Sequence, residues 1–260
     1  LMPVPVNPIK AGLADGKRQM GLWIAMAHAT SAEIASKAGF DFCLIDGEHA
    51  PNDIPLVLDQ VRAIGCGSAA AAARVPVGDT RIIKQYLDLG VQTLIVPMID
   101  TSEQARAIVA ATRYPPEGVR GVGAAMARAS NFGEIVDVTT TANAQICLFV
   151  QAESKKSVEN IDEIAGVEGV DGVFIGPADM AADMGLPGQT GHPDVQAAVK
   201  HCFERIHAAG KKVGIIAFDE HQVRIYVDNG ADFVAVGGDT ALLAKAIRGA
   251  AAFADELRDL

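Results

Sequence analysis

Short apolar runs recur along the chain at even spacing, each bounded by turn residues and followed by a helix-period pattern. Residues 21–26 (Gly-Leu-Trp-Ile-Ala-Met) form the first run. Thr30-Ser31 then offers an N-cap for a helix through Lys37, and Gly39 closes it. Residues 41–46 form the second run, ending in Asp46 and followed by a polar loop, Gly47 to Asn52. Asp53 can cap a helix to about Ile64, with Leu56, Val57, Val61 and Ile64 on one face. A third strand is expected over Ala69 to Arg74. Its alanines are a poor strand signal, and only the alternation of elements demands a strand there. Asp79 starts the next helix, striped by Ile82, Ile83, Tyr86 and Leu87 and closed by Gly90. Thr93 to Pro97 reads as the fourth strand, and Thr101 or Ser102 opens a helix to Arg113.

Residues 114–145 break the rhythm, and a connection of that length is usually functional. The pattern resumes with strands at 146–151, 172–175, 212–217 and 233–236. Helices are expected at roughly 154–165, 193–209, 219–228 and 239–256. Strands alternating with helices imply a parallel sheet. Eight such units in one 260-residue chain predict a single α/β domain, a (β/α)8 TIM barrel over residues 1–260, with a doubly wound open sheet as the alternative.

Half the residues are hydrophobic and 21% are charged, enough for a large core and too apolar for disorder. The formal charge of −10 argues against nucleic acid and against an anionic membrane as partners. Cys43, Cys66, Cys147 and Cys202 are scattered, without the close pairs of a zinc site or the density of a disulfide scaffold. Reduced thiols in a cytoplasm are the expectation. The segment Leu1 to Lys10 lacks the pattern of a signal peptide, and no apolar run is long enough to cross a bilayer.

Barrel chemistry belongs at the carboxyl ends of the strands. Those ends carry Asp46, Glu48 and His49, then Arg74, then Gln151 and Glu153, then Asp179. Glu153 and Asp179 are hard oxygen donors at neighbouring strand ends, suited to Mg2+, Mn2+ or Co2+. Either could equally be a helix-start acid, and Asp183, four residues after Asp179, competes with it. Arg74 needs a partner if buried. It reads either as a structural ion pair or as a guanidinium aimed at an oxyanion. His49 lies three residues after Asp46, an arrangement in which a carboxylate can orient a base; a plain surface histidine is the other reading. Gly237-Gly238-Asp239 can be a backbone anion site or a simple turn. Gly121-x-Gly123 lacks a third glycine and follows no strand, so it is no dinucleotide fingerprint.

Several longer stretches carry a resemblance. These are Leu44–Asp53 (LIDGEHAPND), Ile83–Ala105, Thr112–Ser130 (beginning TRYPPEGVRG), Leu148–Ser154, Gly169–Gly185 (GVDGVFIGPADMAADMG) and Ala231–Asp239. Together they resemble the HpcH/HpaI class II pyruvate aldolases, over about residues 8 to 255. The resemblance implies a (β/α)8 barrel and cleavage of 4-hydroxy-2-oxo acids, such as 4-hydroxy-2-oxoheptanedioate, to pyruvate and an aldehyde such as succinic semialdehyde. It implies a divalent metal held by Glu153 and Asp179. Arg74 would hold the C2 oxygen, and His49, oriented by Asp46, would be the base. Gln151 would position substrate or water. The N–H groups of Ala178 and Asp179 would cradle the substrate carboxylate, Ile216 would line the aldehyde side, and Asp88 would join the histidine network across a subunit boundary. It also implies a homo-hexamer, a trimer of dimers that swap the last helix.

The Ala69–Ala73 run departs from the branched residues expected there and predicts a loosened core beside Arg74. Phe42-Cys43 stands where a Trp and a Leu are usual, and Phe218 is bulkier than the usual residue at its place. Two other functions stay open on sequence: a 2-keto-3-deoxy-sugar-acid aldolase taking polar hydroxyaldehydes, and a noncatalytic barrel that binds a keto acid.

Overall fold

The computed structural model describes residues 2–258. Eight parallel strands close into a barrel in sequence order. They are β1 (Gln19–Ile24), β2 (Phe42–Asp46), β3 (Ala70–Arg74), β4 (Thr93–Val96), β5 (Cys147–Ala152), β6 (Gly172–Ile175), β7 (Lys212–Ile216) and β8 (Phe233–Gly238). The helices are α1 (Pro8–Ala14), α2 (Ala29–Ser36), α3 (Ile54–Ile64), α4 (Thr80–Asp88), α5 (Ser102–Thr112), α6 (Val138–Thr141), α7 (Lys155–Glu159), α8 (Ile161–Ala165), α9 (Pro177–Asp183), α10 (Pro193–Ala208), α11 (Glu220–Asp228) and α12 (Asp239–Glu256).

The strands are apolar on both faces because both faces are covered. Their outward residues, such as Ile24, Ile45, Val150, Ile175 and Ile215, pack with the helices in one large cluster. The inward residues form a second cluster of Trp23, Phe42, Leu44, Ala72, Ile95, Phe149, Phe174, Phe233 and Ala235. Phe42 and Phe233 stack with centroids 3.9 Å apart, and Phe149 and Phe233 with centroids 4.9 Å apart. Rings of this size need small neighbours. A Cβ on Gly21 would sit 2.3 Å from Phe42 Cε2, and one on Gly172 would sit 2.3 Å from Phe149 Cε1.

The alanine run belongs to the same fit and corrects the expectation of a loose core. Ala70 pairs in register with Phe42, and Ala72 and Ala73 are fully buried. Small residues on β3 leave the barrel lumen to the phenylalanines. The helix α1, absent from the sequence reading, closes the lower end by adding Ile9 and Leu13 to the inner cluster. Asn7 caps it and donates to Thr93 Oγ1 at 2.9 Å.

Three other departures have local causes. The expected helix over 154–165 is broken into α7 and α8 at Asn160, whose side chain donates to the Asp100 carbonyl at 2.8 Å. The Gly176-Pro177 turn starts the short helix α9, Pro177 being pre-set for a first helical position. Within the excursion, Tyr114, Ile135, Val138 and Ala142 build a small cluster of their own. Arg120 there reaches back to Asp88 at 2.7 Å within the same chain, which is the partner the structure gives Asp88. Among the described residues, α12 buries only Asp239 and leaves Leu242, Leu243, Ile247 and Phe253 exposed. None of the described helices is long and apolar enough to cross a membrane.

Candidate active site

Parallel register puts Asp46 of β2 opposite Arg74 of β3, both facing inward at the carboxyl end. Arg74 Nε donates to Asp46 Oδ1 at 3.0 Å, and Nη2 donates to Oδ2 at 2.7 Å, a bidentate pair with both side chains buried. The Trp23 indole also donates to Asp46 Oδ2, at 3.1 Å, and its ring lies 4.8 Å from the Arg74 Cζ. Asp46 Oδ1 further accepts the N–H groups of Glu48 and His49 at 2.9 and 3.3 Å. This corrects the expected Asp46–His49 side-chain pair: the carboxylate is spent on Arg74, Trp23 and the loop backbone. Burial pushes the Asp46 carboxyl up, but the Arg74 hydrogen bonds and charge and the indole hold it below the usual range.

The loop after β2 turns tightly because Gly47 has no side chain. A Cβ there would meet the Tyr86 hydroxyl at 2.2 Å and the Arg74 carbonyl at 2.7 Å. Asn52 closes the loop by donating to the Asp46 carbonyl at 2.7 Å, and Gln60 holds Asn52 at 2.6 Å. The result aims Glu48 inward and leaves the His49 ring exposed at the mouth. Arg74 Nη1 lies 2.8 Å from Glu48 Oε2, a close ion pair off the line of a hydrogen bond. Glu48 Oε2 is also 4.0 Å from His49 Nε2, so the carboxylate beside the imidazole is Glu48. Sequence placed Glu48 at this strand end without a role. The missing signal was that the tight turn at Gly47 sends the second residue of the loop, not the third, into the barrel.

Across the mouth, Glu153 follows β5. Its Oε1 accepts the Met98 N–H at 2.8 Å, and its Oε2 accepts from the Gln151 amide. Met98 takes a left-handed φ of 59° to present that N–H, a backbone contribution no sequence pattern announced. Gly176 at the end of β6 makes room: a Cβ there would sit 2.8 Å from Glu153 Oε2. Asp179 and Ala178 lie exposed in the first turn of α9, where backbone N–H groups lack helical partners. Asp183 is drawn away, accepting the Lys155 N–H at 2.7 Å. Ile216 packs against the inner cluster at the end of β7. The donors around the Gly237-Gly238-Asp239 turn are taken by the chain's own carboxylate. The Asp239 carboxylate itself accepts from the N–H groups of Ala25, Met26 and Thr240 and from the Ser31 hydroxyl.

Burial raises the carboxyls of Glu48 and Glu153. The charge of Arg74 opposes the shift in Glu48, and the Gln151 and Met98 hydrogen bonds oppose it in Glu153. The charge of Asp179 pushes both upward, and that of Glu48 pushes Glu153 upward as well. Three carboxylates thus repel one another around a space, and one arginine does not neutralise them. Gln151 Oε1 is buried there without a partner. Hard oxygen donors with excess negative charge and an unfilled acceptor fit a divalent cation. Among the described residues no three His, Cys, Asp or Glu side chains converge as a closed metal site. Glu153 and Asp179 would therefore leave coordination positions for water or substrate oxygens. Burial pushes the Cys43 and Cys202 thiols up to about 12, so neither is a nucleophile at neutral pH.

The profile of the HpcH/HpaI aldolase/citrate lyase family matches residues 19–246. The chain is 56% identical to a hydroxypyruvate/pyruvate aldolase of Deinococcus radiodurans, over 99% of this chain and 96% of the relative. It is 51% identical to a 4-hydroxy-2-oxovalerate aldolase of Rhodococcus jostii, over 94% of each. The crystal structure of an HpcH/HpaI aldolase/citrate lyase family protein from Burkholderia cenocepacia superposes with a TM-score of 0.92 at 38% identity, over 96% of this chain and all of that one.

Proposed function

Because the chain belongs to the HpcH/HpaI aldolase/citrate lyase family, we propose that it is a divalent-metal-dependent carbon–carbon lyase that adds pyruvate or hydroxypyruvate to an aldehyde and cleaves the corresponding 4-hydroxy-2-oxo acids. The observation that carries this reading is the gathering of Glu48, Glu153 and Asp179 at the carboxyl end of the barrel, with Arg74 paired to Glu48. The name of the Deinococcus relative supports pyruvate and hydroxypyruvate as donors. Acceptors such as succinic semialdehyde, and hence 4-hydroxy-2-oxoheptanedioate, stay in the test panel.

A cation held by Glu153 and Asp179 would supply Lewis-acid polarisation of the 2-oxo group. The chain does the rest. In the cleavage direction the C4 hydroxyl loses its proton, the C3–C4 bond breaks, and its electron pair moves toward C2 and its oxygen. Arg74 donates two of its five N–H groups to Asp46, with Nη1 ion-paired beside Glu48, which leaves N–H groups for that oxygen as charge develops. Its clamp between two carboxylates and the Trp23 ring fixes the direction of those donors. His49, exposed at the mouth, takes the hydroxyl proton and passes it to solvent, Glu48 steadies the charged ring, and a proton from solvent added at C3 turns the enolate into pyruvate. The first-turn N–H groups of Ala178 and Asp179 receive the substrate carboxylate, and Gln151 positions substrate or water.

The assembly proposed with this reading is a homo-oligomer, a hexamer by the family resemblance. The exposed apolar residues of α12 support the view that another copy covers that helix.

The test uses chelator-stripped protein given Mg2+, Mn2+ or Co2+ in turn. Metal-restored exchange of the pyruvate C3 protons with D2O, together with pyruvate release from 4-hydroxy-2-oxo acids, is the expected result. Full activity in the stripped protein would overturn the mechanism. Binding of pyruvate without exchange under any metal would favour a noncatalytic barrel.

A further inference from the structure

Gln60 is a polar residue at an apolar position. It falls on the stripe of α3 that carries Val57, Val61 and Ile64, and it is fully buried with them. Its Nε2 donates to Asn52 Oδ1 at 2.6 Å and to the Leu56 carbonyl at 2.9 Å. Its Oε1 is buried with no partner among the described residues. A leucine would occupy this stripe without an orphaned acceptor, so stability alone does not account for the amide.

The direction of the amide is set from the strand end. The Asp46 carbonyl can only accept, so Asn52 turns Nδ2 toward it and Oδ1 away. Oδ1 can only accept, so Gln60 turns its NH2 group there, and the Leu56 carbonyl takes the second hydrogen of the same group. The bonds therefore run one way, from Gln60 through Asn52 to the last residue of β2. They close the loop Gly47 to Asn52, which carries Glu48 and His49. On its near side this loop is held by Asp46 Oδ1, which accepts the Glu48 and His49 N–H groups. On its far side Pro51 has no N–H to give, and the Asn52 side chain returns the loop to the strand.

We propose that Gln60 is a positioning residue for the reaction: it fixes the Asn52 amide and, through it, the loop that holds His49 at the mouth. This rests on the aldolase reading above, in which His49 takes the hydroxyl proton. Proton transfer needs hydrogen-bond distance, so a small displacement of the base is costly in rate. The orphaned Oε1 is the cost of keeping, inside an apolar stripe, the group that locks this loop.

The experiment compares full-length wild type, Gln60→Leu and Asn52→Ala, and repeats both changes in a His49→Ala background at higher enzyme concentration. With Mg2+ supplied, pyruvate release is followed from the 4-hydroxy-2-oxo acid that the wild type cleaves fastest. Pyruvate binding by calorimetry and the melting temperature are measured on the same samples. Gln60→Leu is expected to lower kcat about tenfold, and Asn52→Ala at least as much, with the pyruvate Kd within about twofold of wild type. Gln60→Leu should melt at or above the wild-type temperature. It removes the orphaned oxygen and adds apolar surface to the stripe, and the half-buried Asn52 can turn its freed oxygen to water. In the His49→Ala background neither change should lower kcat more than about twofold, because the group they position has gone. A merely structural amide predicts a lower melting temperature and the same fall in both backgrounds. That pattern, or a wild-type kcat in Gln60→Leu, would overturn the positioning role while an active wild type kept the aldolase reading. A wild type that releases no pyruvate from any 4-hydroxy-2-oxo acid with Mg2+, Mn2+ or Co2+ would overturn the aldolase reading, and the positioning role with it.

Discussion

The floor of the barrel is packed with rings and its mouth with ions. Phe233 and Arg74 are both buried, and both are surrounded by residues from neighbouring strands. Phe233 gains from that burial, because apolar surface leaves water and its neighbours are cut to its shape. Arg74 and its carboxylates lose hydration and recover it only through pairing, and the recovery is incomplete where Glu48, Glu153 and Asp179 repel one another. Adjacent layers of one barrel thus separate stability from chemistry. Changes in the mouth should show in turnover with little effect on folding, and changes in the floor should do the reverse.

The largest effect tests the mouth. Glu153→Ala should lower kcat for pyruvate release by about 10³-fold or more, roughly 4 kcal/mol of transition-state stabilisation. The melting temperature of the metal-free protein should stay level or rise, because a repelling carboxylate has gone. A lower melting temperature with much of the activity retained would reverse the assignment of the two layers.

In the floor, Phe233→Ala should destabilise by about 3–5 kcal/mol, since it removes the ring on which Phe42 and Phe149 stack. The folded fraction should turn over at nearly the wild-type rate. Denaturant unfolding alongside kcat separates the two. Gly21→Ala is smaller and of opposite kind. Its methyl would fall 2.3 Å from Phe42 Cε2, so overpacking should cost about 1–3 kcal/mol, read as a few degrees in calorimetry.

The same division decides how much could be read from sequence. Local signals were legible. Asp53, Asp79 and Thr101 cap their helices as their positions imply, and each strand lies within a residue or two of its apolar run. The floor was not legible, because its logic is complementarity between strands far apart in the chain. Ala70 looks poor for a strand until Phe42 is set beside it. Asp46 was visible as a site residue, but its partner was not. Spacing favoured His49, and parallel register gave it Arg74, 28 residues away. Glu48 and the Met98 N–H depend on a tight turn and a left-handed residue, neither of which a periodicity can show.

The smallest effect sharpens the comparison within the mouth itself. Asp46 is held below the usual carboxyl range, so it contributes stability above the ordinary pKa that is lost as pH falls through its folded value. Glu48 and Glu153 are raised, so their contribution is present at acid pH and lost as pH rises through their folded values. The metal-free protein should therefore be relieved of strain in the mouth at mildly acid pH and burdened by it at neutral pH. A divalent cation opposes only the second condition. The rise in melting temperature on adding Mg2+ should accordingly be small near pH 5 and larger at pH 8. Glu153→Gln, which keeps the shape and removes the charge, should flatten that dependence, whereas Phe233→Ala should lower every melting temperature and leave it intact. An equal Mg2+ effect at both pH values would mean that the repelling carboxylates do not face the cation.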